Sequence, residues 1–185
     1  MGQNTDDVGT AGTPPEPVWV TKTEVALRQV SAAVRMFFDG SDPVVTHSVI
    51  SAGHQILTDL ANRSGKKGLL RGRHVSADTI KAVNTAANFF KHADRDASER
   101  LNVQPIPELN AEFLMDAVFL VLQLTSSPPM SVRVFCSWFV SKHPDLFEDV
   151  TSIPRFSEFG IDVDDFAGIS AMLMLSELAD GSDTR

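Results

Sequence analysis

Nowhere in this chain do apolar and polar residues alternate over the length of a strand, while segment after segment repeats its apolar residues at helical spacing. That leaves an all-α fold, a bundle of five or six helices in a single domain, with neighbours expected to run antiparallel. Thr21-x-x-Glu24 reads as a capping box, and Val25, Leu27, Val30, Val34, Phe37 and Phe38 give the first helix an apolar face up to Asp39-Gly40. Asp42 as N-cap and Pro43 at the first helical position open the second with almost no loop, so the two should form a hairpin. Val45, Val49, Ala52, Ile56 and Leu60 line one side of this second helix, and Ile50, Leu57 and Ala61 another, which makes it central.

Ser76 caps a third helix predicted to run to about Ala97, with Val83, Ala86, Ala87 and Phe90 packing and Asn84, Asn88, Lys91, His92 and Arg95 on the opposite flank. Asn110 is the expected cap of a fourth helix, nearly all apolar from Phe113 to Leu124 and stopped by Ser126-Ser-Pro-Pro129. A fifth covers Met130 to Lys142, and a sixth is expected from a cap at Asp162 through Leu178. Residues 1–18, rich in Gly, Thr, Asp and Pro, read as a disordered leader, 19–179 as the helical domain and 180–185 as a frayed tail. The second, fourth and fifth helices are apolar on more than one side, which predicts a homodimer that buries the excess.

A net charge of −8 argues against a mainly electrostatic nucleic-acid binder. The charge is uneven, however: from Arg63 to Arg100 nine basic residues meet four acidic ones, a surplus of five, leaving −13 on the rest. Cys136, the single cysteine, excludes an internal disulfide framework and a cysteine zinc cluster and fits a reducing cytoplasm. No secretion signal marks the first 18 residues, and the most apolar run, Phe113 to Leu122, is broken by Asp116 and too short to span a bilayer, so no membrane partner is expected.

Chemistry-bearing residues concentrate on three helices. His47 and His54 are seven apart, close to two turns, and share a face. Asn88, His92 and Asp96 recur every fourth residue, and Glu112, Asp116 and Gln123 fall on one flank of the fourth helix. Such a convergence of imidazole and carboxylate is how bundles build metal sites, so His47, His54, His92, Asp96 and Asp116 are the residues that would hold a divalent metal, although the Glu-x-x-His signature of di-iron bundles is missing and no cofactor is otherwise expected. Ordinary packing is the better explanation of most of these histidines. Asp116 is harder to explain away, because a carboxylate inside an apolar run must find a partner such as His54, Lys91, Arg95 or a cation. Cys136, set among Phe135, Trp138 and Phe139, reads as an inert buried thiol. Lys66, Lys67, Arg71 and Arg73, interspersed with glycine, form a basic loop able to hold phosphates, though without aromatics for base stacking.

The segment Ala87-Asn-Phe-Phe-Lys-His-Ala-Asp94, with Phe37-Phe-Asp-Gly-Ser-Asp-Pro43 ahead of it, resembles a group of small bacterial helical proteins, and its Asn-x-x-Lys-His element resembles that of HEPN domains over the span 22–145. The resemblance implies a helical, usually dimeric module of toxin, defence or RNA-processing systems. HEPN ribonucleases carry an Arg about four to six residues from a His, a spacing that no pair in this chain has, so the resemblance carries Asn88, Lys91 and His92 over as a polar patch. The expected function is a helical module acting through a protein or RNA partner, with a metal-dependent hydrolase or nuclease and a purely structural dimer as the alternatives.

Overall fold

The computed structural model describes residues 17–71, 76–92, 98–147, 150 and 152–182, with the backbone alone for Arg71 and 177–182. Six α-helices and no strand are present among the described residues: α1 (Lys22–Phe38), α2 (Pro43–Arg63), α3 (Ala77–Phe89), α4 (Ile106–Leu124), α5 (Met130–Lys142) and α6 (Phe166–Ser182). Three of their N-terminal ends are set by the caps the sequence carries. Thr21 Oγ1 accepts from the Glu24 backbone at 3.1 Å while Glu24 returns a bond to the Thr21 N–H at 2.6 Å, which also holds the Glu24 carboxyl below its ordinary range. Asp42 accepts from the backbone N–H groups of Val44 and Val45, and Ser76 from that of Thr79.

Four boundaries differ from expectation. α3 stops at Phe89, short of Ala97: between Phe90 and Leu101 the chain has no large apolar side chain to bury, so nothing offsets the entropy of another helical turn. α4 begins a turn earlier than Asn110, at Ile106, with Pro107 in its opening turn where a missing N–H costs nothing. α6 is capped by Asp165, which accepts from the Gly168 N–H at 2.9 Å, while Asp162 closes the preceding turn by accepting from the Asp164 N–H. α6 then runs to Ser182 rather than ending at Leu178, so the helical backbone extends into the expected tail. Residues 1–16 of the expected leader lie outside the described residues; Val18 and Trp19 are exposed.

α1 and α2 pack as the hairpin their four-residue junction dictates, and α2 is sandwiched between α1 and α4. Gly53 makes the α1–α2 crossing possible, because a Cβ there would stand 3.2 Å from Gln29 Cβ and Val30 Cγ2. α4 is the spine, buried from Phe113 through Val118 and again at Leu120 and Val121. α5 covers it with Val134 through Val140, and Phe37, Phe38, Phe135, Trp138 and Phe166 join α1, α5 and α6 in one edge-to-face cluster. Most of the second apolar faces of α2, α4 and α5, the sequence's reason for a homodimer, are therefore covered within one chain, with Val45, Leu122 and Met130 left exposed. Cys136 is buried in the same core, which pushes its thiol up to about 11 and makes it the inert group the sequence suggests. Among the described residues no helix is long and apolar enough to cross a membrane.

Candidate functional site

α2 and α4 meet along a polar seam inside an otherwise apolar interface. On α2 the residues are His47, Ser51 and His54, spaced four and three; on α4 they are Asn110, Phe113 and Asp116, spaced three and three. Phe113 sits between the two imidazoles, with ring centroids 5.2 Å from His47 and 4.7 Å from His54. Each histidine then takes one partner from α4 on either side of it.

At one end His47, fully buried, donates from Nδ1 to Asn110 Oδ1 at 2.7 Å, and the Asn110 amide is oriented by its own bond from Nδ2 to the Pro43 carbonyl at 2.9 Å. That arrangement selects the Nδ1–H tautomer and leaves Nε2 3.3 Å from the Val83 carbonyl of α3. Both neighbours are acceptors and favour an imidazolium, yet burial outweighs them and holds His47 below its ordinary pKa, with a minor contribution in the same direction from Lys91. In the middle, Lys91 reaches back from the end of α3 and its ammonium donates to Ser51 Oγ at 2.6 Å. Ser51 is buried and Lys91 exposed, so the lysine is a charged donor rather than the desolvated base that a nucleophilic serine needs.

At the other end lies Asp116, 2 % exposed. Its Oδ2 accepts from His54 Nε2 at 2.5 Å and its Oδ1 from the Leu70 backbone N–H at 3.1 Å, so both carboxylate oxygens are engaged. Asp116 thereby ties α2, α4 and the 3-10 turn Leu69–Arg71 together. Gly68 must be glycine for this reason: a Cβ would fall 2.5 Å from Asp116 Oδ1 and 2.7 Å from Oδ2. Two turns further along α4 the same loop is fastened twice more, by Lys66 Nζ to the Gln123 carbonyl and by Gln123 Nε2 to the Lys67 carbonyl at 3.0 Å. The lysine ammonium at the last turn of α4 also complements the negative end of the helix.

A cavity of ≈ 150 Å³ opens under this loop, lined by His54, Thr58, Asn62, Lys66, Lys67 and Asn84 among others. His54 Nδ1, the nitrogen not used by Asp116, makes no hydrogen bond among the described residues. The lining is rich in donors, and its one carboxylate is already occupied.

The expected site residues are thus divided among several places. His54 and Asp116 meet; His47 belongs to the opposite end of the seam. Asn88 and His92 line a separate cleft on the far side of α3, with Glu99 and Arg100, while Lys91 turns inward to Ser51. Glu112, expected on the Asp116 flank, is exposed at the mouth of another cavity. Among the described residues no three His, Cys, Asp or Glu side chains come together as a metal site; Asp96 and Arg73 lie outside those residues, as does the Arg71 side chain. Asn110, Ser51 and Gly68 are the participants that sequence reasoning missed. Asn110 carried a signal, since Pro107 already marks the helix start and leaves an amide stranded in a buried run. Compared with protein-family models, curated proteins and solved structures, the chain matches none.

Two outcomes follow for stability. Asp116→Ala strands the Leu70 N–H and is expected to cost about 2 to 4 kcal/mol by chemical denaturation, whereas Asp116→Asn should cost less, because its Oδ1 still accepts from Leu70 and its amide donates to a His54 that switches tautomer. Gly68→Ala should destabilise the wild type but be nearly neutral in the Asp116→Ala background, and equal costs in both backgrounds would contradict the close approach. His47 supplies the pH dependence. Its folded pKa lies below the unfolded value of about 6.5, so the unfolded chain binds more protons between the two and stability rises with pH there. The His47 contribution is complete above about pH 6.5 and is lost as pH falls through that window toward the folded value. Denaturation of wild type and His47→Gln at successive pH values should show the wild type losing its advantage on acidification; parallel curves would contradict it.

Proposed function

We propose that this protein is a non-catalytic helical module that acts by holding a phosphate-bearing partner against the loop 64–71, in keeping with its resemblance to HEPN domains, and that the partner is RNA held through its backbone phosphates. The observation that carries the reading is the fastening of a lysine-bearing loop to α2 and α4 by Asp116, His54 and Gln123 over a small donor-rich cavity. A cavity of ≈ 150 Å³ holds about five waters at ~30 Å³ each, the scale of one phosphate group with part of its hydration. Fixing the loop beforehand lowers the entropy lost on binding. The local surplus of basic charge supplies attraction that the whole molecule, at −8, does not.

Catalysis is less well supported. Ser51 is buried beneath a charged lysine, and His54 is held by Asp116 in a general acid–base posture with no nucleophile beside it. The reading includes a cytoplasmic homodimer, supported by Met174 and Leu175 on the outer face of α6, which are 61 % and 68 % exposed and would be covered by a second copy.

Fluorescence anisotropy with a labelled single-stranded RNA tests the proposal, with light scattering on the same samples to give the stoichiometry. Binding should weaken as salt rises, and Lys67→Ala should reduce the slope of log K against log salt by about 0.7, one phosphate contact's worth. Binding that is absent, or unaltered in slope by Lys67→Ala, contradicts the reading; a monomer at micromolar concentration contradicts the dimer.

A further inference from the structure

A second cavity is at the other end of the seam and shares no residue with the loop pocket. It encloses ≈ 660 Å³ where the C-terminal end of α1, the start of α2, the start of α4, the end of α5 and the start of α6 converge. That volume is within the range of small-molecule sites, about 300 to 1,000 Å³. Its floor is aromatic: Phe37, Trp138 and Phe166 come from three helices with ring centroids 5.1 to 5.8 Å apart. Trp138 is held in place from behind by its indole N–H, which donates to the Val163 carbonyl at 2.9 Å, so the floor is preorganised.

The mouth of this cavity is acidic. Glu108 and Glu112 are exposed there, one turn apart on α4. Glu108 alone has an ordinary explanation, since it lies in the first turn, where the helix favours negative charge. Glu112 lies beyond that turn, and like charges four residues apart repel. Neither carboxylate forms an ion pair with the basic groups at the rim among the described residues. Lys142 is paired with Asp164 at 2.5 Å, and His143 packs its ring on Phe139 with centroids 4.5 Å apart.

We infer that this cleft binds a small organic cation, an ammonium carried on an apolar or aromatic body, with the body on the Phe37–Trp138–Phe166 floor and the charge between Glu108 and Glu112. An anionic ligand would meet two carboxylates, and a neutral one would leave their repulsion in place. A cation relieves that repulsion and gains from the aromatic faces as well. Asn110, which lines this cavity and also orients His47, connects the site to the polar seam.

The chain has two tryptophans, so Trp19→Phe leaves Trp138 as the sole reporter on the floor. Phenethylammonium titrated into the full-length Trp19→Phe protein should change Trp138 emission saturably, with a Kd of about 1 mM or tighter. Phenethyl alcohol, which keeps the body and lacks the charge, should bind roughly tenfold more weakly, and the Glu108→Gln, Glu112→Gln double variant should lose the same factor for the ammonium. The double variant should melt with the parent, since both side chains are exposed, and if it does not, the ammonium-to-alcohol ratio in the parent decides. Equal affinity for ammonium and alcohol, or no saturable change up to about 10 mM ammonium, would overturn the inference. Lys67→Ala should leave the titration unchanged, so failure here is separable from failure at the loop.

Discussion

A carboxylate buried in the most apolar helix of the bundle has to be answered by its surroundings. Left unpaired, Asp116 would cost several kcal/mol, a large part of the total stability of a domain this size. Each feature of the loop pocket can be traced to that requirement. His54 must face α4 from α2, the chain must turn at Leu69–Arg71 so that the Leu70 N–H points inward, and residue 68 must have no Cβ. Replacing the pair with packed hydrocarbon would satisfy the core as well or better, so stability alone does not account for Asp116. Its consequence is positional: it fixes a basic loop and one imidazole relative to two helices.

The same register between α2 and α4 serves both ends of the seam. With Phe113 fixed between the two histidines, Asn110 and Asp116 fall three residues to either side and meet His47 and His54. Beyond Asn110 the helices open onto the aromatic cleft, and beyond Asp116 onto the loop pocket. A rotation of α4 that broke one pair would break the other, since both lie on one rigid helix face. The two cavities differ in character as their linings do, one apolar with carboxylates at its mouth, the other small and rich in donors.

Much of this architecture was legible in the chain. The capping box at Thr21, the Asp42-Pro43 start and the limits of α5 follow from local chemistry that tertiary packing leaves intact. So did the burial and pairing of Asp116, because a lone carboxylate among Phe113, Leu114, Met115, Ala117 and Val118 admits few alternatives. The errors have physical causes. Asn110 has the chemistry of an N-cap, although its side chain is used across the helix interface. The polar stripe at Asn88, His92 and Asp96 assumed a helix that ends at Phe89, where apolar surface runs out. Ser51 and Gly68 gave no signal, since a hydroxyl within α2 and a glycine in a glycine-containing loop acquire their roles only from what packs against them.

The protonation of His54 tests the central claim most directly. Nitrogen-15 NMR of the imidazole in the native protein at neutral pH should show Nε2 protonated, with its proton shifted downfield and slow to exchange because it is shared with Asp116. In Asp116→Asn the proton should move to Nδ1, as the amide becomes the donor. A His54 with rapidly exchanging ring protons, or one whose tautomer is the same in wild type and Asp116→Asn, would contradict the view that Asp116 organises this site.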